Sequence, residues 1–276
     1  MPKEEFTINK IIISDVDGTL FKSGNKVQPR KLELVHRFQE QGGIFTLATG
    51  RMKKAIEPFI DELAIRFPVI VYNGAQIVDP VTNQLLASKE LTPSLAESAL
   101  TLLEQYPLSP IMHVNQQPYV WKQTQEVLEH MKKDNIECLV HENLHDLTIH
   151  SPTKILVIGE PERLQEFEAA FQQTVENGFQ LVYSDWNYLE ILPWGASKGN
   201  ALETLARIKG ISMKHMIAVG DERNDISMLQ AAGLGVAVAN ADETVQRQAN
   251  RVTRGSWNQG LEEVIEAVLA HKKEYN

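Results

Sequence analysis

Asp15 and Asp17 stand two residues apart in Asp15-Val16-Asp17-Gly18-Thr19-Leu20, directly after the apolar run Ile11-Ile12-Ile13. Two carboxylates that close repel each other and are costly to desolvate unless a cation sits beside them, a role suited to a hard, oxygen-seeking ion such as Mg²⁺. Gly18 permits a sharp turn, although Asp-Gly alone is also an ordinary turn former. A second acidic cluster, Gly220-Asp221-Glu222-Arg223-Asn224-Asp225, again follows an apolar strand. It makes Asp221 and Asp225 candidate metal-site residues, with capping of the next helix a further role for Asp225. In Thr49-Gly50-Arg51, a hydroxyl, amides exposed beside glycine and an adjacent helix start together favour a phosphate. Lys198 opens a helix, where the dipole disfavours a cation, and an anionic partner would explain it.

Those residues need elements to carry them to one place. The β-branched run at residues 10–14 predicts a strand buried on both faces of a parallel sheet, with Asp15 at its end. Leu32, Val35 and Phe38 recur at helical spacing between Pro29 and Gly42-Gly43, which suit a helix start and stop. A strand over 44–49, a helix over 53–65 and a short strand over 69–72 continue the alternation until Asn73-Gly74 breaks it. Strand and helix in alternation imply a parallel α/β sheet, and such sheets bind ligands at the carboxyl ends of their strands.

The pattern changes after Asp79-Pro80. A helix over 94–105, an antiparallel pair at 111–114 and 119–122, a helix over 123–133, a strand over 154–158, a helix over 162–175 and strands at 180–183 and 188–191 read as a separate α+β module. The parallel signature then returns with a helix over 198–208, a strand over 216–219, a helix over 225–231, the apolar stretch 234–239 and a closing helix over 260–270. The expectation is a first domain split by an insert in the middle of the chain.

Composition narrows the function. With 276 residues, 43% hydrophobic and 23% charged, the chain is globular and long enough for one large domain or two moderate ones. A formal charge of −9 argues against a nucleic-acid partner while leaving room for a small anionic substrate. No run reaches the ~18 apolar residues of a membrane span, and MPKEEFTINK lacks the apolar centre of a signal peptide, so a cytoplasmic location is expected. The single cysteine, Cys138, excludes an internal disulfide and reads as packing.

Taken in order, DVDGTL, LATGR, SKGNAL and GDERNDISML resemble the four motifs of the haloacid dehalogenase superfamily, and the long insert between the second and third resembles its Cof-type branch. The resemblance runs from Ile11 to about Thr253. It implies a Rossmann-like α/β core with a parallel sheet and an inserted α+β cap, and a Mg²⁺-dependent phosphatase working through an aspartyl-phosphate.

By that resemblance Asp15 is the nucleophile and Asp17 the general acid and base. Thr49 and Lys198 bind and neutralise the transferring phosphoryl group. Mg²⁺ is held by Asp15, the backbone carbonyl of Asp17 and Asp221, with Asp225 and Asn224 in support. Gly50, Arg51, Asn73 and Asn224 line the substrate side, with Arg51 leaning towards a structural salt bridge, Asn73 open to a turn role and Glu190 to a hinge-strand role. Asn240 matches a recurring position, although Val238-Ala239 stands where many relatives have Met-Gly.

The resemblance also implies a discontinuous core, 1–81 and 188–276, and a cap at 82–187 folded as a small sheet with helices on one face, whose closure excludes water. His113, Asn115, Trp121 and Trp186 are of types that could select a leaving group there, with packing or surface as their ordinary reading. His141, His145 and His150 read as solvated loop residues. The expected partner is a small phosphorylated metabolite, such as a sugar phosphate, flavin mononucleotide or pyridoxal phosphate, with no nucleic acid and no membrane. A monomer is the default, with a dimer left open. A phosphohexomutase and a non-catalytic phosphate-binding regulator are the rival readings.

Overall fold

The computed structural model describes residues 11–22 and 26–273. MPKEEFTINK and the end of the HKKEYN tail lie outside them, together with the readings made on those segments. The chain divides into two compact units, one of Met1–Gly50, Ile56–Leu86 and Ser197–Asn276, the other of Arg51–Ala55 and Ala87–Ala196. The second connection falls at 196/197 because the Tyr188–Pro193 strand is paired on both sides inside the inserted unit. The first connection falls within the strand Leu85–Ser88, which follows an Asp79 turn in which the Asp79 carboxylate accepts from the amides of Val81 and Thr82, both at 3.0 Å.

In the first unit, Ile11–Ser14 is the second strand from one side of a five-stranded parallel sheet. Met216–Gly220, Leu234–Ala237 and Arg251–Val252 extend it on one side and Ile44–Leu47 on the other. Ile12 and Ile13 are fully buried, as expected for a strand with helices on both faces. Ser14 lies level with Val219 and with Leu47, so the residues after all three strands emerge at one edge. The chain continues through Val69–Val71 and returns antiparallel as Gln76–Val78, a short pair the sequence pattern did not separate from its turn.

The helix Pro29–Glu40 packs against the closing helix Asn258–Lys273, an association framed by Arg30, which pairs with Glu262 at 3.1 Å and Glu266 at 2.6 Å. Lys198–Lys209 begins at Ser197, whose hydroxyl accepts from the amide of Asn200 at 3.1 Å, and ends at Gly210 in the left-handed conformation.

The inserted unit is a six-stranded sheet in the order Phe179–Asp185, Tyr188–Pro193, Lys154–Ile158, Ser109–Val114, Gln117–Val120, Leu139–Val140. Pro93–Leu103 and Pro161–Thr174 bury Leu100, Leu164 and Phe167 against one face, which presents Met112, Ile155 and Leu189. The expectation of helices on one face only is corrected here. Gln125–Asp134 places Val127 and Met131 against Ile111 and Leu156 on the opposite face, because those strands alternate apolar residues to both sides. His145 is also not a merely solvated loop residue: it lies in a 3₁₀ turn, Leu144–His150, and bridges Glu97 at 2.7 Å and Glu104 at 3.2 Å.

Candidate active site

The edge of the parallel sheet gathers the motifs. Asp15 follows the strand Ile11–Ser14 and donates its amide to the carbonyl of Val219 at 2.9 Å. Residues 15–21 then fold back on themselves. Leu20 and Phe21 both donate to the Val16 carbonyl, and Gly18 donates to that of Phe21 at 3.0 Å. Gly18 has φ +86°, and a Cβ there would collide with the Asp221 carboxylate, so the close approach of the two acidic motifs depends on this glycine.

Asp15, Asp221 and Asp225 each offer a carboxylate oxygen, and these oxygens lie within 4.8 Å of one another in buried surroundings. Lys198 places its Nζ 2.5 Å from Asp15 Oδ1 and 2.6 Å from Asp225 Oδ1. The anionic partner required by a lysine at a helix start is thus this carboxylate pair. Asp225 is entirely buried, and its other oxygen accepts from the amides of Asp221 at 2.9 Å and Glu222 at 3.0 Å. It caps the Arg223–Asp225 turn and not, as expected, the helix Ile226–Ala231 that follows. Thr19 donates to Asp221 Oδ1 at 2.6 Å, and Asn240 donates to Asp221 Oδ2 at 3.3 Å and to the Gly18 carbonyl at 3.1 Å. Sequence reasoning assigned no role to Thr19 and left that of Asn240 open. Membership of the DVDGTL motif is the only sequence signal for the first.

The electrostatics follow from that crowding. Burial pushes the Asp15 carboxyl up to about 8, with Asp225 and Asp17 adding to the rise and Lys198 opposing it. Burial likewise carries Asp221 to about 9, aided by Asp15 and Asp225 and opposed by the Thr19 hydrogen bond. For Lys198 burial works against the charge, but the two carboxylates outweigh it and hold the ammonium above its ordinary range. Three clustered carboxylates share one lysine, and a cation fits what remains. Asn224 adds a second sign, since its Oδ1 is buried and accepts no hydrogen bond among the described residues.

The remaining sequence candidates divide. Thr49 is buried; its amide donates to Ile70, and its carbonyl accepts from the amide of Asn73 at 2.9 Å. Asn73 Oδ1 accepts from Asn224 Nδ2 at 2.9 Å, and a Cβ on Gly50 would stand 2.9 Å from the Asn73 amide nitrogen. Asn73 therefore touches both Gly50 and Asn224. Asp17 is half-buried and stands outside the group of three clustered carboxylates, its segment bridging to Phe21. Arg51 belongs to the inserted unit, with Nε 3.6 Å from Asp134 Oδ1. Glu190 is also in that unit, 3.0 Å from Lys154 and accepting from Ser184 at 2.7 Å. His113 is 2% exposed, and burial, with Lys154 and His130, holds its pKa well below the ordinary value, so the ring is neutral.

A parallel α/β core carrying a carboxylate cluster and a buried lysine at one sheet edge, and interrupted by an α+β insert, defines a class of hydrolases. Residues 12–265 match the haloacid dehalogenase-like hydrolase family, and the chain belongs to it, in the Cof-type branch. YxeH of Bacillus subtilis is 31% identical over 273 residues, covering 95% of this chain and 99% of its own. Pyridoxal phosphate phosphatase YbhA of Escherichia coli is 29% identical over 260 residues, covering 88% and 92%. A haloacid dehalogenase-like hydrolase from Bacteroides thetaiotaomicron superposes with a TM-score of 0.86 at 27% identity, covering 94% of this chain and 99% of the other. The protein is accordingly an enzyme of the phosphoric monoester hydrolase type.

Proposed function

We propose that the protein is a Mg²⁺-dependent phosphatase of small phosphorylated metabolites that works through an aspartyl-phosphate on Asp15. The carrying observation is the position of Lys198 Nζ between Asp15 and Asp225, with Asp221 in the same cluster. Support for the substrate class comes from relatives named for pyridoxal phosphate, for HMP-PP and for 5-amino-6-(5-phospho-D-ribitylamino)uracil.

Asp15, Asp221 and the Asp17 carbonyl would hold the ion, with Asp225 and Asn224 behind them, and the ion would lower the pKa values of these carboxyls and offset charge on the phosphoryl oxygens. A carboxylate oxygen of Asp15 attacks phosphorus as the ester P–O bond breaks, and Asp17 gives its proton to the departing alkoxide. Asp17 then takes a proton from water, whose oxygen attacks the phosphoryl phosphorus, breaking the Asp15–phosphorus link and releasing inorganic phosphate. Lys198, with Thr49 and the amides around Gly50, offsets charge on the transferring group.

The test is phosphate release from p-nitrophenyl phosphate and a panel of sugar, nucleotide and cofactor phosphates, with Mg²⁺ or with EDTA. Release that requires Mg²⁺ and disappears in Asp15→Asn supports the reading. Transfer between positions of a phosphohexose without net phosphate release would replace it with a mutase, and a folded, Mg²⁺-binding protein with no turnover would point to a binding protein.

A further inference from the structure

The first unit holds a second fully buried lysine that the chemistry above does not use. Lys31 is 0% exposed and lies in the first turn of Pro29–Glu40, where the helix dipole opposes a cation. Burial pulls its pKa down to about 8, with Glu262 opposing the fall. A lysine kept where both burial and the helix dipole disfavour its charge needs a compensating role. Its Nζ donates to the carbonyl of Leu20, within the folded-back turn of residues 15–21.

That turn has identifiable anchors. On the side of the acidic cluster, Thr19 is tied to Asp221, and the Gly18 carbonyl accepts from Asn240. At its base, Leu20 and Phe21 donate to Val16. The Leu20 carbonyl is held by Lys31, from the helix that follows the turn. Asp17 lies between these anchors, and its segment bridges to Phe21, the residue after Leu20.

Resting on the phosphatase reading, we propose that Lys31 is a positioning residue for Asp17: by fixing the Leu20 carbonyl it sets the turn that aims the general acid at the leaving oxygen. Because an acid matters only to a leaving group that needs a proton, the inference has a selective signature. Nitrophenolate departs without help, whereas an alkoxide does not.

The experiment measures kcat/KM for p-nitrophenyl phosphate and for the alkyl phosphate that the wild type hydrolyses fastest, in wild type, Lys31→Met and Lys31→Arg, with folding followed by circular dichroism. General acid catalysis contributes about 10² to 10⁴, so partial misplacement of Asp17 should lower the alkyl phosphate value about tenfold or more in Lys31→Met, and the nitrophenyl value less than about threefold. Lys31→Arg, which keeps a cationic donor, should retain the wild-type ratio between substrates. Adding Lys31→Met to Asp17→Asn should cost little further on the alkyl phosphate, since the group being positioned is already gone. Equal losses on both substrates, or full additivity with Asp17→Asn, would overturn the inference and leave Lys31 a structural residue. If Lys31→Met does not fold, Lys31→Gln is judged by the same ratio. Failure of the wild type itself to release phosphate would instead overturn the phosphatase reading and this inference with it.

Discussion

Asp225 holds Lys198 at 2.6 Å while its second oxygen accepts the amides of Asp221 and Glu222. One carboxylate therefore orients both the lysine that faces Asp15 and the backbone that carries Asp221. Its complete burial makes each of these interactions expensive to lose.

Asp225→Ala should accordingly destabilise the protein by about 3 to 5 kcal/mol, the usual cost of leaving one partner of a buried pair uncompensated. Thermal unfolding followed by circular dichroism checks this, and an unchanged midpoint would contradict the assigned bonds. Lys198→Met should lower kcat by about 10² or more even where the protein remains folded, because a preorganised charge beside Asp15, the proposed nucleophile, is removed.

The metal-free protein should lose stability as pH rises. Asp15 and Asp221 have folded-state pKa values of about 8 and about 9 against a reference of 3.8. The folded state thus binds protons that the unfolded state has already released. The contribution is fully present below about pH 4 and declines until it is lost as pH passes 8 to 9. With EDTA present, the melting midpoint should fall between pH 5 and pH 9, less so in Asp221→Asn, and Mg²⁺ should restore most of the difference at the alkaline end. A flat profile in the wild type would count against the clustered carboxylates.

Asn73 has φ 53° and follows Tyr72, also at φ 53°. Glycine adopts this conformation freely and alanine does not, so Asn73→Gly should be more stable than Asn73→Ala by about 1 kcal/mol. Both variants lose the acceptor for Asn224, and both should show reduced turnover. Parallel melting and kinetic measurements separate the two effects, and full activity in the glycine variant would show that the side chain serves only the turn.

Gly18→Ala should be disabling without any chemical group being removed. The added methyl would enter the space of the Asp221 carboxylate at a φ of +86°. The left-handed conformation alone costs an L-residue about 1 to 2 kcal/mol. Mg²⁺ affinity measured by calorimetry should weaken together with activity, and unchanged affinity would show that the turn can yield.

Much of this is legible in the chain. The unbroken Ile11-Ile12-Ile13 run has the pattern of a strand covered on both sides, and that local pattern is enough to put Asp15 at a sheet edge. The same logic places Asp221 after Met216–Gly220, and the parallel pairing of the two strands brings them together. Local patterns suffice here because burial period and turn chemistry are properties of a few neighbouring residues.

The tertiary structure decided what depends on partners distant in sequence. Nothing near Arg51 foretells that it meets Asp134 in the inserted unit, and nothing near His145 foretells Glu97 and Glu104. Lys31 lies in a helix recognisable from the spacing of Leu32, Val35 and Phe38, and only the packing of that helix beside the Leu20 carbonyl buries its ammonium. Asp225 reads as a metal-site candidate that also caps the helix after it, and only the fold brings Lys198 to its carboxylate. The sequence alone determined which chemical groups stand at the strand ends, because that follows from local periodicity. Which of them share a charge, and which are shut away from water, only the tertiary structure decided, because desolvation and Coulomb energy depend on the distances that packing sets.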